Sequence, residues 1–379
     1  MRILVTGATG YVGSRLVTAL LAEGHKVVTA TRTPEKIKRF GWSSDVDAVT
    51  LDAGDPDATA KAFADAGPID VVYYLVHAIG QPDFRDADNK AAAHVAEAAK
   101  AAGVKRIVYL GGFVPDGGDL SEHLMGRAEV AGALTIDGGA EVVWLGAAMI
   151  IGAGSTSFEM LRYVGDRFWL FPLLPWVKNP MDPISIRDVL YYLVAVADSE
   201  RVPAGAYDIS GPETTTYREL LFAYAHARHT FRAGVPIRGI DTWLVSKVTA
   251  IALPIPGGLA SDLVASLDYP MRASEHRLEE ILPAPPGGPT PINDAIAASL
   301  STDRPAPVDA LADPHHLADS DPAWAGGDVL ALQRLARAVT PAPARPALGL
   351  VNLVPGPVAG ALRTGFDLLA EFTPNGKSA

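Results

Sequence analysis

An α/β fold built on a doubly wound parallel sheet is what this sequence predicts, and three observations carry the prediction. The chain opens with a short apolar run, Ile3-Leu4-Val5. It is followed by Thr6-Gly7-Ala8-Thr9-Gly10-Tyr11-Val12-Gly13 and then by Arg15–Leu21, with apolar residues at helical spacing. Near-continuous apolar strands then alternate with helical stretches through residues 1–150, the pattern of a parallel sheet covered on both faces. Beyond residue 150 the alternation loosens, as expected of a smaller C-terminal domain beside the sheet.

The elements follow in order. Strands are expected at His25–Thr31, Val49–Asp52, Ile69–Val76, Arg106–Leu110 and Glu141–Leu145, with an alanine-rich helix at Asp88–Ala102. Right-handed crossovers between such strands place a ligand site at their carboxyl ends. Helices are expected at Phe158–Val164, Ile186–Ala197 and Thr216–Ala227, with a strand at Ala206–Ile209. Thr216 followed by Glu219 reads as a capping box. Thr33 and Pro34 form a cap and first-turn proline for another helix. Residues 1–150 form one domain and 151–300 a second, some of whose chain returns to the first. Residues 301–328 are polar, with scattered proline and aspartate, and read as a linker or arm. Residues 329–379 are apolar again and should pack on the body or on a second subunit.

Composition narrows the function. The net charge is −11 and no dense basic run occurs, which argues against nucleic acid as a partner. Absence of cysteine excludes disulfides, thiolate catalysis and cysteine-ligated metals. No uninterrupted apolar stretch reaches the ~18 residues of a spanning helix. The nearest, Trp243–Ala260, is broken by Lys247, Pro254 and Pro256. No signal-like segment is read at the start, so a cytoplasmic protein is expected. The adjacent His315 and His316 make a weak metal site, and none is expected. Contact of the aromatic run Phe168–Trp176 with a membrane surface ranks below its packing as core or lid, and a homodimer stays open.

The glycine turn carries most of the chemistry. Gly7 permits the tight turn, Gly10 lets the main chain approach a pyrophosphate, and Gly13 lets the helix pack close to the sheet. The helix N-terminus adds amide donors and the positive end of its dipole.

Thr6–Gly13 resembles the cofactor turn of the extended and atypical short-chain dehydrogenase/reductases, whose sheet is of the Rossmann type. Leu145–Gly154 resembles the strand and glycine loop where these proteins pass from cofactor to substrate. Asp182–Val189 resembles their return segment, and Tyr207–Glu213 with Tyr217–Leu220 the elements that close their core. The resemblance covers about residues 1–225 and is nearest to the NmrA-like NAD(P)H-binding branch. It implies that Gly7, Thr9, Gly10, Tyr11, Val12 and Gly13 hold a dinucleotide. It also implies that Asp52 sits near the adenine, and that Leu75, Val76 and His77 line the ribose and nicotinamide. Asp52 reads equally well as a plain strand-end cap.

In such domains an acid about 20 residues past the glycines binds the ribose 2′-hydroxyl, and an arginine there accommodates a 2′-phosphate. Here Arg32 lies nineteen positions beyond Gly13, with Lys36, Lys38 and Arg39 after it. NADP(H) is therefore expected in preference to NAD(H), the competing reading being a solvated basic helix.

Active members typically use a serine after the fifth strand and a Tyr-x-x-x-Lys on the next helix. This chain has Gly111 and Gly112 after the strand, and the helix brings His123 and Arg127 to the tyrosine and lysine positions. Arg127 would bind ribose hydroxyls but stays protonated, whereas His123 can donate a proton near neutral pH. His123 is equally readable as a surface helix residue. Met149, Ser155, Phe158 and Trp169 are candidates to line an apolar substrate pocket, or else are core. A reductase of a small apolar carbonyl or quinone is the first expectation. A non-catalytic NADP(H)-sensing protein is the alternative. A nucleotide-sugar epimerase ranks below both, because such enzymes rely on the absent tyrosine.

Overall fold

The computed structural model describes residues 1–77, 84–113, 122–237, 253–256, 264, 266–301, 304–340, 351 and 354–371. The chain runs β1 (Arg2–Thr6), α1 (Tyr11–Ala22), β2 (Lys26–Thr31), β3 (Asp47–Thr50), α2 (Pro56–Ala66), β4 (Val71–Tyr74), α3 (Phe84–Ala101), β5 (Arg106–Gly112), α4 (Glu122–Leu134) and β6 (Glu141–Ala147). It continues through β7 (Ile150–Ile151), α5 (Thr156–Arg167), β8 (Leu170–Leu173), β9 (Pro180–Met181), β10 (Ile184–Ser185), α6 (Ile186–Ala195) and β11 (Gly205–Asp208). Then come β12 (Thr215–Thr216), α7 (Tyr217–Ala227), β13 (Ala233–Pro236), α8 (Arg277–Ile281), α9 (Ile292–Leu300), α10 (Gly327–Val339) and α11 (Gly356–Glu371).

Seven strands form one parallel sheet in the order β3-β2-β1-β4-β5-β6-β11. Alternation along each strand feeds two cores. Ile3 and Val5 pack with Leu16, Val17 and Leu20 of α1 and with Val189 and Leu193 of α6. Leu4 points the other way, to Phe63 of α2, Val95 of α3 and Leu134 of α4. Burial of both faces is what made the strands read as unbroken apolar runs. The order reverses between β1, from which the chain moves outward to β2 and β3, and β4, which begins the other half. This is the switch point at which open α/β sheets form their crevice.

A third core joins Phe113, Met149, Phe158, Phe171, Leu220, Leu221, Tyr224 and Met271. The Thr216–Glu219 capping box forms as the sequence indicated. Thr33 and Pro34 differ from expectation: they begin a six-residue 3-10 segment, Pro34–Arg39, and the Thr33 side chain makes no cap bond. The Lys36 amide instead closes an i,i+3 turn onto the Thr33 carbonyl at 3.0 Å.

Of residues 301–328, read from their polarity as a linker or arm, the described stretch 304–326 lies packed on the body. Arg15 of α1 and Asp321 form an ion pair, each side chain 2 % exposed. His315 is buried against Ser185, with its Nε2 2.8 Å from the hydroxyl. Val308, Leu317, Ala318 and Ala325 are buried too, but they are scattered among polar residues, so the segment's mean hydropathy gave no sign of its burial. Of the apolar C-terminal segment, α10 and α11 also lie on the body. Arg363 of α11 donates to the Tyr163 hydroxyl at 2.8 Å, and Arg167 pairs with Asp328 of α10 at 2.7 Å.

Candidate functional site

The opening turn is built by the backbone. Gly10 N donates to Gly7 O at 2.9 Å, and Ser14 N donates to Gly10 O at 2.9 Å. Gly7 has φ +67° and a Cβ there would stand 2.5 Å from the Leu75 carbonyl oxygen, so no other residue fits. A Cβ on Gly13 would stand 2.2 Å from the Gly7 carbonyl oxygen. Gly10 caps α1 without a side-chain bond, which leaves the first-turn amides facing outward for an anion. The Thr6 hydroxyl ties β1 to β4, donating to Tyr73 O at 2.9 Å and accepting from Leu75 N at 3.1 Å.

A cleft of about 440 Å³ starts at this turn. Gly7, Gly10, Tyr11, Val12, Gly13, Leu75 and His77 form its first wall. Gly111, Gly112 and Arg127 form its floor. Met149, Ser155, Met160, Leu161, Val164, Trp176, Tyr217, Leu220, Leu221 and Met271 form its far, mostly apolar end. Arg127 Nη1 lies 2.6 Å from His77 Nε2. A guanidinium only donates, so His77 accepts there as a neutral ring. Burial pushes the Tyr109 phenol above its ordinary range, against the opposing pull of the Arg127 guanidinium. Burial likewise raises the Tyr11 and Tyr217 phenols, keeping both as neutral donors.

The structure accounts for one departure from the resembled pattern. A Cβ on Gly111 would meet Trp144 Nε1 at 2.6 Å and the Tyr109 ring at 3.0 Å, so a serine cannot stand there without moving an indole. Gly112 has room, its nearest neighbours being 3.8 Å away.

Of the residues singled out in the sequence, Gly7, Gly10, Tyr11, Val12, Gly13, Leu75, His77, Arg127, Met149 and Ser155 meet in this one cleft. Ser155 caps α5, and its hydroxyl donates to Ile150 O at 2.7 Å. Thr9 lies in the turn outside the lining, and Val76 packs half-buried on the α2–α4 side. Arg32, Lys36 and Asp52 are exposed beyond the carboxyl ends of β2 and β3. Asp52 accepts from Gly54 N at 3.1 Å, a turn-forming role. Two substrate candidates fall elsewhere. Phe158 is fully buried in the third core, and Trp169 is exposed on the outer surface. The backbone of His123 lies in α4, one turn before Arg127; its side chain lies outside the described residues, as does Ser121. Trp176, Tyr217 and Met271 were missed. They come from three separate segments, and only tertiary packing brings them together.

Residues 7–127 match a family model described as NAD(P)H-binding. That stretch, about a third of the chain, is similar to NAD(P)H-binding domains. The fit is visible in the cradle itself: three glycines whose Cβ atoms would collide with the turn or narrow the approach to it, ahead of open helix amides. Solved proteins share the fold. A nucleoside-diphosphate-sugar epimerase from Staphylococcus aureus superposes with a TM-score of 0.63 at 17% identity, over 78% of this chain and 100% of that one. Triphenylmethane reductase from Citrobacter sp., complexed with NADP(H), superposes at 0.57 and 18% identity, over 78% and 99%. In sequence, the (4-alkanoyl-5-oxo-2,5-dihydrofuran-3-yl)methyl phosphate reductase of Streptomyces griseus is 29% identical over 280 residues, covering 70% of this chain and 86% of that protein. An uncharacterized Mycobacterium tuberculosis protein is 26% identical over 254 residues, which is 66% of this chain but only 25% of that protein. The chain thus spans about a quarter of the length of its mycobacterial relatives.

Proposed function

We propose that this protein is an NADP(H)-dependent reductase of a small apolar carbonyl or quinone, of the NmrA-like branch and acting in the cytoplasm. The observation that carries the reading is the continuity of the cleft: the glycine turn opens into a compartment walled by Met149, Met160, Leu161, Val164, Leu220, Leu221 and Met271. An apolar, partly enclosed space beside a dinucleotide turn favours an apolar substrate. Reductases among the relatives support the same direction. No described helix is long and apolar enough to cross a membrane.

Bound NADP(H) supplies a hydride. The chain's own groups do the rest. The amides of α1 and the turn hold the diphosphate. Arg32, one residue past β2, would meet the 2′-phosphate of NADP(H) with a cation that cannot be discharged. Arg127, beside His77, holds ribose hydroxyls and fixes the reacting face against the apolar wall. His123, one helical turn before Arg127, gives a proton to the developing oxyanion near neutral pH. A quinone whose charge passes to solvent needs that proton less, which suits a site with glycines at 111 and 112.

Those same glycines favour a second reading, a sensor that binds NADP(H) without turnover. NADPH oxidation against a panel of quinones and aldehydes separates the two, with His123→Ala and Arg127→Met alongside. The reductase reading expects turnover with at least one apolar acceptor and loss of most of it in Arg127→Met. Tight NADPH binding without turnover on any acceptor overturns it in favour of the sensor.

A further inference from the structure

The far, apolar end of the cleft carries an unmet hydrogen-bond donor. Trp176 lines the cleft there, and its indole Nε1 is shielded from solvent with no hydrogen-bond partner. A buried indole N–H ordinarily finds an acceptor, and one that does not calls for an explanation. Other unpartnered ring donors lie nearby but not on this wall. Tyr109 and Trp144 pack in the core between the sheet and α2–α4. The Tyr11 hydroxyl lies against Gly152, where a Cβ would stand 2.0 Å from it.

The donor is held in place by its own anchors. Asn179 N donates to Trp176 O at 2.9 Å, and Asn179 Nδ2 donates to Leu267 O at 2.8 Å. Val177, the next residue, is buried. Tyr217, also on the cleft wall, begins α7 behind the Thr216–Glu219 capping box. Pairing of β12 with β9, Thr216 opposite Pro180, ties that helix end to the Trp176 turn. The two rings meet edge to face with centroids 5.8 Å apart. An indole that only donates and a neutral phenol therefore stand together in an otherwise apolar wall. Among the described residues that line the cleft, none is Asp, Glu or Lys.

We propose that Trp176 sets the specificity of this site, its N–H taking a carbonyl oxygen at the end of the ligand remote from the dinucleotide turn, so that the ligand is a neutral ring compound with two opposed carbonyl oxygens, as in a 1,4-quinone. Carbon placed against the indole leaves the N–H unmet, whereas a carbonyl oxygen satisfies it. A pocket built around such a donor rejects the analogue that lacks the acceptor. An ammonium group would find no carboxylate on the described wall, and a carboxylate would find its cation, Arg127, only at the floor. The inference narrows the substrate class of the reductase reading and rests on that reading for the chemistry. The binding that it predicts requires no turnover.

The experiment is calorimetry on the full chain, first with NADP+ and then, on the NADP+-saturated protein, with 2-methyl-1,4-naphthoquinone and with 2-methylnaphthalene. The oxidised cofactor has no hydride to give, so binding is read alone. The parent should bind the quinone at least about tenfold more tightly than the hydrocarbon. Trp176→Phe keeps a ring and removes the N–H. It should weaken the quinone about threefold to tenfold and leave the hydrocarbon within about twofold. Tyr217→Phe, measured alongside, should act in the same sense if the phenol shares the oxygen. Equal losses for both compounds in Trp176→Phe make the indole a packing residue and overturn the proposal. A parent that does not prefer the quinone, or a quinone affinity that Trp176→Phe leaves unchanged, overturns it as well. NADPH oxidation is followed separately. Quinone binding that depends on Trp176, without turnover on any acceptor, sinks the reductase reading and leaves the subsite standing.

Discussion

Arg15 and Asp321 lie 306 residues apart and form a buried bidentate ion pair at 2.9 and 2.8 Å. The arginine follows the glycine turn by two positions. Its guanidinium stacks at 4.1 Å on the Tyr11 ring, which lines the cleft. Its remaining donors go to the carbonyls of Pro314 and His316 at 2.9 and 2.8 Å, with those of Tyr11 and Ala153 at 3.2 and 3.3 Å. One side chain therefore joins the dinucleotide turn to the polar segment that follows residue 303.

Removing one partner of a buried pair strands the other charge, at a cost of about 3–5 kcal/mol. Asp321→Ala is expected to lower the unfolding free energy by that amount in denaturant titrations. Arg15→Met/Asp321→Leu should recover most of it, because apolar replacement of both partners is often neutral. A single-variant loss under about 1 kcal/mol would show that the pair is solvated.

Gly13→Ala places a methyl 2.2 Å from the Gly7 carbonyl oxygen, so the turn or helix must move. Calorimetry should show NADPH affinity reduced at least about tenfold, since amide donors tolerate little misplacement. Gly24→Ala is the control. Gly24 has a positive φ, +76°, but nothing lies near its Cβ. It should cost roughly 1 kcal/mol of stability and leave cofactor affinity unchanged.

Arg32→Ala should reduce NADPH affinity by roughly tenfold to a hundredfold, the range of a charge-assisted hydrogen bond of about 1.5–3 kcal/mol. NADH affinity should stay within about twofold. Equal losses for both cofactors would remove Arg32 from the 2′-phosphate site.

Asp313 accepts from the backbone N of His315 at 2.8 Å and lies 2.6 Å from its ring Nδ1. The hydrogen bond to His315 holds the carboxyl down at about 2. A depressed carboxyl stabilises the fold fully above about pH 4, and that contribution is lost as pH falls toward 2. Because Asp313 is 37% exposed, solvent screening limits the effect to about 1 kcal/mol. Asp313→Asn should therefore flatten the acid limb of a stability–pH curve between pH 4 and 2. An acid limb as steep as the parent's would show that other groups set it.

The sheet was legible in the sequence because its chemistry is local. A strand buried on both faces must be apolar throughout, and Gly13 is demanded by contacts with the neighbouring turn at Gly7 and Ala8. The cleft was legible only where it borrows from that frame, at Tyr11, Leu75, His77, Arg127, Met149 and Ser155. Phe158 and Trp169 show the limit: an aromatic side chain reads as apolar whether it ends in the core, in a cleft or facing outward. The 3-10 segment at Pro34 carried cap-and-proline chemistry, yet Ile37 and Phe40 are buried against the α1 side of the sheet, and tertiary packing overrode the local signal. The polar segment after residue 303 was read by hydropathy, which is blind to burial achieved through ion pairs and carbonyl contacts.

The span between Arg15 and Asp321 has a consequence for biosynthesis. At about 5–20 residues per second, Asp321 is made roughly 15–60 s after Arg15. Through that interval the newborn nucleotide pocket exists with its guanidinium lacking the counter-ion it will finally have. Maturation of the pocket is thus timed by the ribosome's arrival at the Asp321 codon, and a chain halted before it would present the glycine turn without its brace.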